Sequence, residues 1–191
     1  MEDRILKIKQ TASPLRRQLL VVALITRELR ERGEAPPVLI GGCALAYYTR
    51  EVYFTADIDL AYPCSTAFDE VLDDLGFRRE GRYWVQEEWN VAVECPAADM
   101  AGEDAPREEV DLGEGLSLCV IGLEDLLIDR LNAWVHWKSA VDREMLLVLL
   151  RRYGKELDWE YLRVKAGRPE NDVRDELARL EAAAEAADEN P

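Results

Sequence analysis

Positively charged side chains are scarce in this chain of 191 residues. It has 24 Lys and Arg against 39 Asp and Glu, which gives a formal net charge of −15 at pH 7. Such a deficit argues against broad, sequence-independent binding to nucleic acid or to an anionic membrane, because both depend on clustered positive charge. It does not exclude a local basic groove.

The chain also has few histidines, no close cysteine pair and no long apolar run. A single histidine, His136, excludes a zinc site built from several histidines. The four separated cysteines predict free thiols in a reducing compartment, and hence a cytoplasmic protein. The longest apolar run, Leu19–Ile25, is far shorter than the roughly 18–20 residues of a transmembrane helix, so we expect no membrane partner.

What is present is enough apolar sequence, 48% of residues, to build a core. The spacing of these residues predicts the α+β class, with a mixed α/β core and N-terminal helix over 1–121 and a helical part over 122–191. The core elements predicted, in chain order, are a helix from Ser13-Pro14 to Gly33, a strand over 38–40, a short helix over 43–48, a strand over 53–61, a helix over 65–75, two strands within 77–95, a loop over 96–109 and a strand pair within 110–121.

Acidity is concentrated in the middle of the chain. The net charge is +4 over residues 1–50, −16 over residues 51–125 and −3 over residues 126–191. Carboxylate chemistry is therefore to be sought in the middle segment.

The most informative motif of the sequence joins two glycines to two aspartates. Gly41-Gly42 ends a predicted strand, and Asp57-Ile58-Asp59 follows after fourteen intervening residues. Alternate residues of a strand share one face, so the two carboxylates lie side by side, and a divalent cation or solvent must offset their repulsion. Oxygen ligands of this kind suit Mg²⁺, and the glycines let a phosphate approach the backbone at the start of a helix. Taken alone, each motif is more often a solvated strand face or a turn.

This combination resembles the nucleotidyltransferase superfamily with the polymerase-beta-like fold. The signature of that superfamily is a hydrophobic residue, Gly-Gly or Gly-Ser, a short helix, and Asp-x-Asp on the next strand; here these are Ile40, Gly41, Gly42, Asp57 and Asp59. The segments 41–45, 55–59 and 122–131 look most like the subgroup of AbiEii-type abortive-infection toxins and MenT-like toxins. The resemblance covers about residues 36–150 and implies a nucleotidyltransferase-like mixed sheet flanked by helices.

The resemblance also implies a reaction, in which a nucleotide passes from an NTP to an acceptor hydroxyl with the help of Mg²⁺. Asp57 and Asp59 would be metal ligands and catalytic carboxylates, and Glu94, in a later predicted strand, is the candidate for the third. The nucleotide phosphates would meet Gly41 and Gly42.

Three residues of the helical part are further candidates for nucleotide binding: Arg130, Lys138 and Asp142. The two cations, eight residues apart on a predicted helix, are equally compatible with a solvated helix face. Asp142 would orient one of them, or serve as an ordinary acid at a helix N-terminus.

Several functional interpretations remain open at this point. The acceptor could be tRNA, a protein hydroxyl or a small molecule such as an antibiotic, and a toxin would have an antitoxin partner. The alternative from another class is a catalytically inactive scaffold that binds a protein partner. Departures from the family pattern favour that alternative: Tyr53 stands where a basic residue is frequent, Arg130 replaces a Lys, and Val141 precedes Asp142 where an Arg is usual. An apolar seam near the C-terminus, Val173-Leu177-Leu180, would then be a dimer or partner surface.

Overall fold

The computed structural model describes residues 2–63, 65–98 and 105–188. Most of the predicted acidic loop, residues 99–104, therefore lies outside the described residues, as does Cys64. The chain divides into two compact units, Met1–Ile121 and Gly122–Pro191.

The first unit is built on one mixed sheet with helices. Its strands are β1 (Val38–Ile40), β2 (Asp57–Ala61), β3 (Arg78–Glu80), β4 (Tyr83–Gln86), β5 (Val91–Ala97), β6 (Arg107–Gly113) and β7 (Leu116–Ile121). Its helices are α1 (Glu2–Gln10), α2 (Pro14–Glu31), α3 (Gly41–Thr49) and α4 (Thr66–Asp74), with a 3₁₀ turn at Glu87–Trp89. The seven strands lie in the order β3-β4-β5-β2-β1-β7-β6.

Strand β2 lies in the middle of this sheet, antiparallel to β1 and parallel to β5. Strand β7 is parallel to β1, and the outer pairs are antiparallel hairpins. This mixture of strand directions, together with the helices, confirms the predicted α+β class.

Helix α2 anchors the core, and its start was readable from the sequence. The Ser13 side chain accepts a hydrogen bond from the Arg16 N–H, and Pro14 occupies the first turn. The run Leu19–Ile25 is buried throughout, and α2 packs on β7, α4, α1 and α3. Full burial stabilises each leucine, isoleucine or valine side chain of this run by about 1.5–3 kcal/mol, so α2 contributes strongly to the core of the first unit.

The structure corrects the predicted strands at three places. Strand β2 begins at Asp57 rather than Tyr53, because Arg50 and Glu51 turn the chain through the left-handed region (φ 53° and 65°). The segment 77–95 holds three strands rather than two, because Gly81 (φ 63°) allows a tight turn between β3 and β4. The loop predicted over 96–109 is shorter, since β5 runs to Ala97 and β6 starts at Arg107. Helix α1 was not predicted.

The second unit is helical, with α5 (Leu123–Trp137), α6 (Ala140–Tyr153), α7 (Trp159–Ala166) and α8 (Arg174–Asp188). The last helix starts at Arg174, after a turn in which Asp172 has a φ of 52°. Val173, Leu177 and Leu180 are buried inside this unit, so the proposed partner seam is part of its own core. None of the described helices is both long and apolar enough to cross a membrane.

Candidate metal centre

Three carboxylates lie together on one face of the sheet. Asp57 and Asp59 come from β2, where Ile58 and Leu60 point to the opposite, fully buried side. Glu94 comes from β5, and the parallel register places it beside Asp59. One oxygen of each carboxylate lies within 4.8 Å of the others. The structure thus brings together the three acids that the sequence singles out.

A polar group contacts each of these carboxylates. The Thr55 hydroxyl donates to Asp57 Oδ1 at 2.7 Å, and the backbone N–H of Gly42 donates to Asp59 Oδ2 at 3.4 Å. An Arg82 guanidinium nitrogen lies 3.3 Å from Glu94 Oε1. The Glu94 side chain is 11% exposed whereas the Arg82 side chain is 70% exposed, so solvent screens this ion pair on one side.

The charge of the cluster matches a divalent cation. Three carboxylates, with a formal charge of −1 each, and the Arg82 guanidinium together carry a formal charge of −2. Carboxylates this close repel one another, and a bound cation of charge +2 would remove that repulsion. The donors are hard oxygen atoms, partly exposed, and Mg²⁺ binds through carboxylates of this kind while keeping water and phosphate oxygens as further ligands. The residues present therefore fit the predicted metal.

The glycine pair has a local reason that the sequence analysis missed. Gly41 has a φ of 63°, and a β-carbon there would lie 2.2 Å from Asp59 Oδ2. A β-carbon on Gly42 would lie 3.0 Å from the Thr55 β-carbon. The absence of a side chain at Gly41 and Gly42 thus leaves space for Asp59 and Thr55. The same two glycines form the N-terminus of α3.

Cys43, which follows the glycines, is not a nucleophile in this setting. It is fully buried, and burial, followed by the charges of Asp59 and Asp57, raises the pKa of its thiol to about 12. The group is therefore a neutral thiol at physiological pH.

The remaining candidates belong to the second unit. Arg130 on α5 makes an ion pair with Asp142 on α6 at 2.9 Å and another with its neighbour Asp129. Burial lowers the pKa of Arg130, but the two aspartates outweigh this and raise it overall. Asp142 thus contacts a cation and also lies in the first turn of α6, so the structure is compatible with both roles considered for it. Lys138 was predicted to lie on the same helix as Arg130, but it is the residue that ends α5, with a φ of 58°. Its Nζ donates a hydrogen bond to the Val135 carbonyl.

Two residues that contact the acidic cluster, Thr55 and Arg82, were not predicted from the sequence. Thr55 stands two positions before Asp57, at a site that was predicted to be strand, so its local contact was not visible. Arg82 follows Gly81 in the unpredicted turn between β3 and β4. Recognising that turn would have placed Tyr83 opposite Glu94, and Arg82 near it.

Comparison with known proteins identifies the fold. No protein-family model matches the chain, and no curated protein matches it in sequence. Among solved structures, the antibiotic-resistance factor ANT(2'')-Ia is similar, with a TM-score of 0.50 over 89% of this chain and 92% of that chain, at 18% sequence identity. At this identity the likeness is one of fold, and it confirms the predicted nucleotidyltransferase-like fold.

Proposed function

We propose that the protein is a Mg²⁺-dependent nucleotidyltransferase that moves a nucleotide from an NTP to an acceptor hydroxyl. The observation that carries this proposal is the cluster of Asp57, Asp59 and Glu94 beside the N-terminus of α3, on a nucleotidyltransferase-like fold. A structural neighbour that is itself a nucleotidyltransferase supports the same chemistry.

The residues of the first unit divide the work as follows. Asp57 and Asp59 would hold the metal, which when bound neutralises charge on the NTP phosphates. Glu94, largely buried, would accept the proton of the acceptor hydroxyl as its oxygen attacks the α-phosphorus and pyrophosphate leaves. Gly41 and Gly42 would offer the phosphates a close approach to the backbone.

We further propose roles for three residues of the helical part and a class of acceptor. Arg130, Lys138 and Asp142 would contribute to nucleotide binding, with Asp142 holding the Arg130 guanidinium in place. The sequence resemblance to AbiEii-type and MenT-like toxins suggests an antitoxin partner, and the separated cysteines suggest a cytoplasmic location. The acceptor would be tRNA or a protein hydroxyl. A small-molecule acceptor is the other class to test, since the structural neighbour is an antibiotic-resistance factor.

The test compares wild type with the variant Asp57→Asn/Asp59→Asn. Each protein is incubated with one labelled NTP at a time, MgCl₂, and total tRNA, cell lysate or a panel of small hydroxyl compounds including antibiotics. We expect wild type to label one class of acceptor. Charge stabilisation by the metal is worth several kcal/mol, so the variant should lose roughly a thousandfold or more in rate.

A matched control removes two exposed aspartates elsewhere, with Asp73→Asn/Asp74→Asn on α4, and should keep wild-type activity. The melting temperature of metal-free Asp57→Asn/Asp59→Asn should equal or exceed that of wild type, because the substitution relieves repulsion. Full activity in this variant would refute the carboxylate assignment. A wild-type protein that labels nothing with any NTP would favour the inactive scaffold.

A further inference from the structure

The segment between α3 and β2 places Thr55 directly against a metal-ligand candidate. The Thr55 hydroxyl donates to Asp57 Oδ1 at 2.7 Å. A hydroxyl at this distance from an ionised oxygen makes a strong, charge-assisted hydrogen bond. One oxygen of the Asp57 carboxylate is therefore held by the protein itself.

Thr55 is in turn tied to the core through its backbone. Its carbonyl accepts a hydrogen bond from Gln18 Nε2 at 3.0 Å, and Gln18, on α2, is only 4% exposed. The other end of this amide, Gln18 Oε1, lies 3.7 Å from Cys43 Sγ. Because burial keeps the Cys43 thiol protonated, it can donate to this oxygen, which fixes the orientation of the amide.

These contacts form one continuous chain of polar groups: Cys43, Gln18, Thr55 and Asp57. The chain joins three elements of the first unit, namely α3, α2 and β2. Gly42 makes the arrangement sterically feasible, since a β-carbon there would lie within 3.0–3.3 Å of three Thr55 side-chain atoms. Two of the four members, Cys43 and Gln18, are buried, so the buried face of helix α2 supports the half-exposed carboxylate.

We propose that Thr55 is a positioning residue for Asp57, which holds the carboxylate in the orientation that a divalent cation requires. The proposal rests on the metal-dependent function proposed above. Removing a hydrogen-bond partner of a metal ligand commonly lowers the metal affinity 10–100-fold, because the unrestrained ligand must then be ordered on binding. The branched side chain of threonine limits its own rotation, which makes it a suitable support.

The test is the affinity for Mn²⁺, measured on the full chain by isothermal titration calorimetry without nucleotide. Thr55→Val keeps the shape and the branched β-carbon but removes the hydroxyl, and Thr55→Ser keeps the hydroxyl. We expect Thr55→Val to bind Mn²⁺ about 10–100-fold more weakly and Thr55→Ser to bind as wild type does. The matched control is Thr26→Val on α2, where a buried threonine hydroxyl has no hydrogen-bond partner among the described groups.

The possible results separate this inference from the proposed function. If wild type and Thr55→Val bind Mn²⁺ equally well, while Asp57→Asn/Asp59→Asn does not bind it, the positioning role is refuted and the metal site stands. If wild type itself does not bind Mn²⁺, the metal-dependent function fails as well. Should Thr55→Val not fold, Thr55→Ala replaces it against Thr55→Ser, and equal affinities of these two would overturn the proposal.

Discussion

At the scale of single residues, the candidate site depends on two positions that have no side chain. Gly41 combines a left-handed backbone, which favours glycine, with the close approach of the Asp59 carboxylate. Another glycine of the same unit, Gly33, has a similar φ of 79° but no atom within 4 Å of its missing β-carbon. Comparing substitutions at Gly41 and Gly33 therefore distinguishes the effect of backbone strain from the effect of a collision with Asp59.

We predict that Gly41→Ala is much more damaging than Gly33→Ala. A left-handed conformation costs an alanine about 1–2 kcal/mol at either position. At Gly41 the β-carbon must also displace Asp59, so the free energy of unfolding should fall further and Mn²⁺ affinity should drop, while Gly33→Ala keeps its Mn²⁺ affinity. Urea unfolding and calorimetric Mn²⁺ titration of both variants check this. Equal losses of stability together with intact metal binding in Gly41→Ala would contradict it.

At the scale of elements, local signals predicted two helix starts and one short strand correctly. Ser13-Pro14 marked the start of α2, Ser65 that of α4, and the strand over 38–40 is observed unchanged. These features depend on a few adjacent residues, whose side chains cap a helix end or fill the core.

The failures of prediction arose where distant contacts decide the structure. Apolar Tyr53 and Phe54 suggested an extension of β2, but the chain turns at Arg50-Glu51, and Gln18 binds the Thr55 carbonyl, which a strand would use for pairing. The strand that contains Glu94 was predicted correctly, because the period of a strand is local. The contacts of Thr55 and Arg82 were not predictable in the same way, because they depend on turns and on strand register.

In the helical unit, the two acids that form ion pairs with Arg130 differ in their exposure to solvent. The Arg130 and Asp142 side chains are only 17% and 15% exposed, whereas Asp129 is 48% exposed. A hydrogen bond to a buried charged group contributes about 1.5–3 kcal/mol, and an exposed ion pair at most about 1 kcal/mol. We therefore expect Asp142→Ala to lower the free energy of unfolding by about 1.5–3 kcal/mol, and Asp129→Ala to lower it by less than about 1 kcal/mol.

Urea unfolding followed by circular dichroism measures both variants. Similar urea midpoints for Asp142→Ala and Asp129→Ala would contradict the prediction, because the more buried ion pair would then contribute no more to stability than the exposed one. Nucleotide binding by each folded variant then tests whether orienting Arg130 matters for function as well as for stability.

At the scale of the whole molecule, the net charge of −15 complicates any metal experiment. An acidic protein attracts divalent cations through its overall field, without a specific site. That attraction acts over distance and is screened by salt, with a Debye length of about 10 Å at 0.1 M. The acidic cluster differs, since its carboxylate oxygens lie within 4.8 Å of one another and would contact the ion directly. Salt should therefore distinguish the two effects.

We predict that Mn²⁺ stabilises the wild-type chain even in 0.3 M NaCl. At a concentration of 100 times Kd, binding to the folded state alone adds about 2.7 kcal/mol, which corresponds to roughly 5–10 °C in the Tm of the unit that contains the site. Asp57→Asn/Asp59→Asn should show no such increase in 0.3 M NaCl, although in low salt both proteins gain some stability from diffuse screening. Thermal melts over a matrix of MnCl₂ and NaCl concentrations test this. A wild-type shift that disappears in salt, or one that the double variant shares, would mean that the excess acidity only attracts counterions and forms no metal centre.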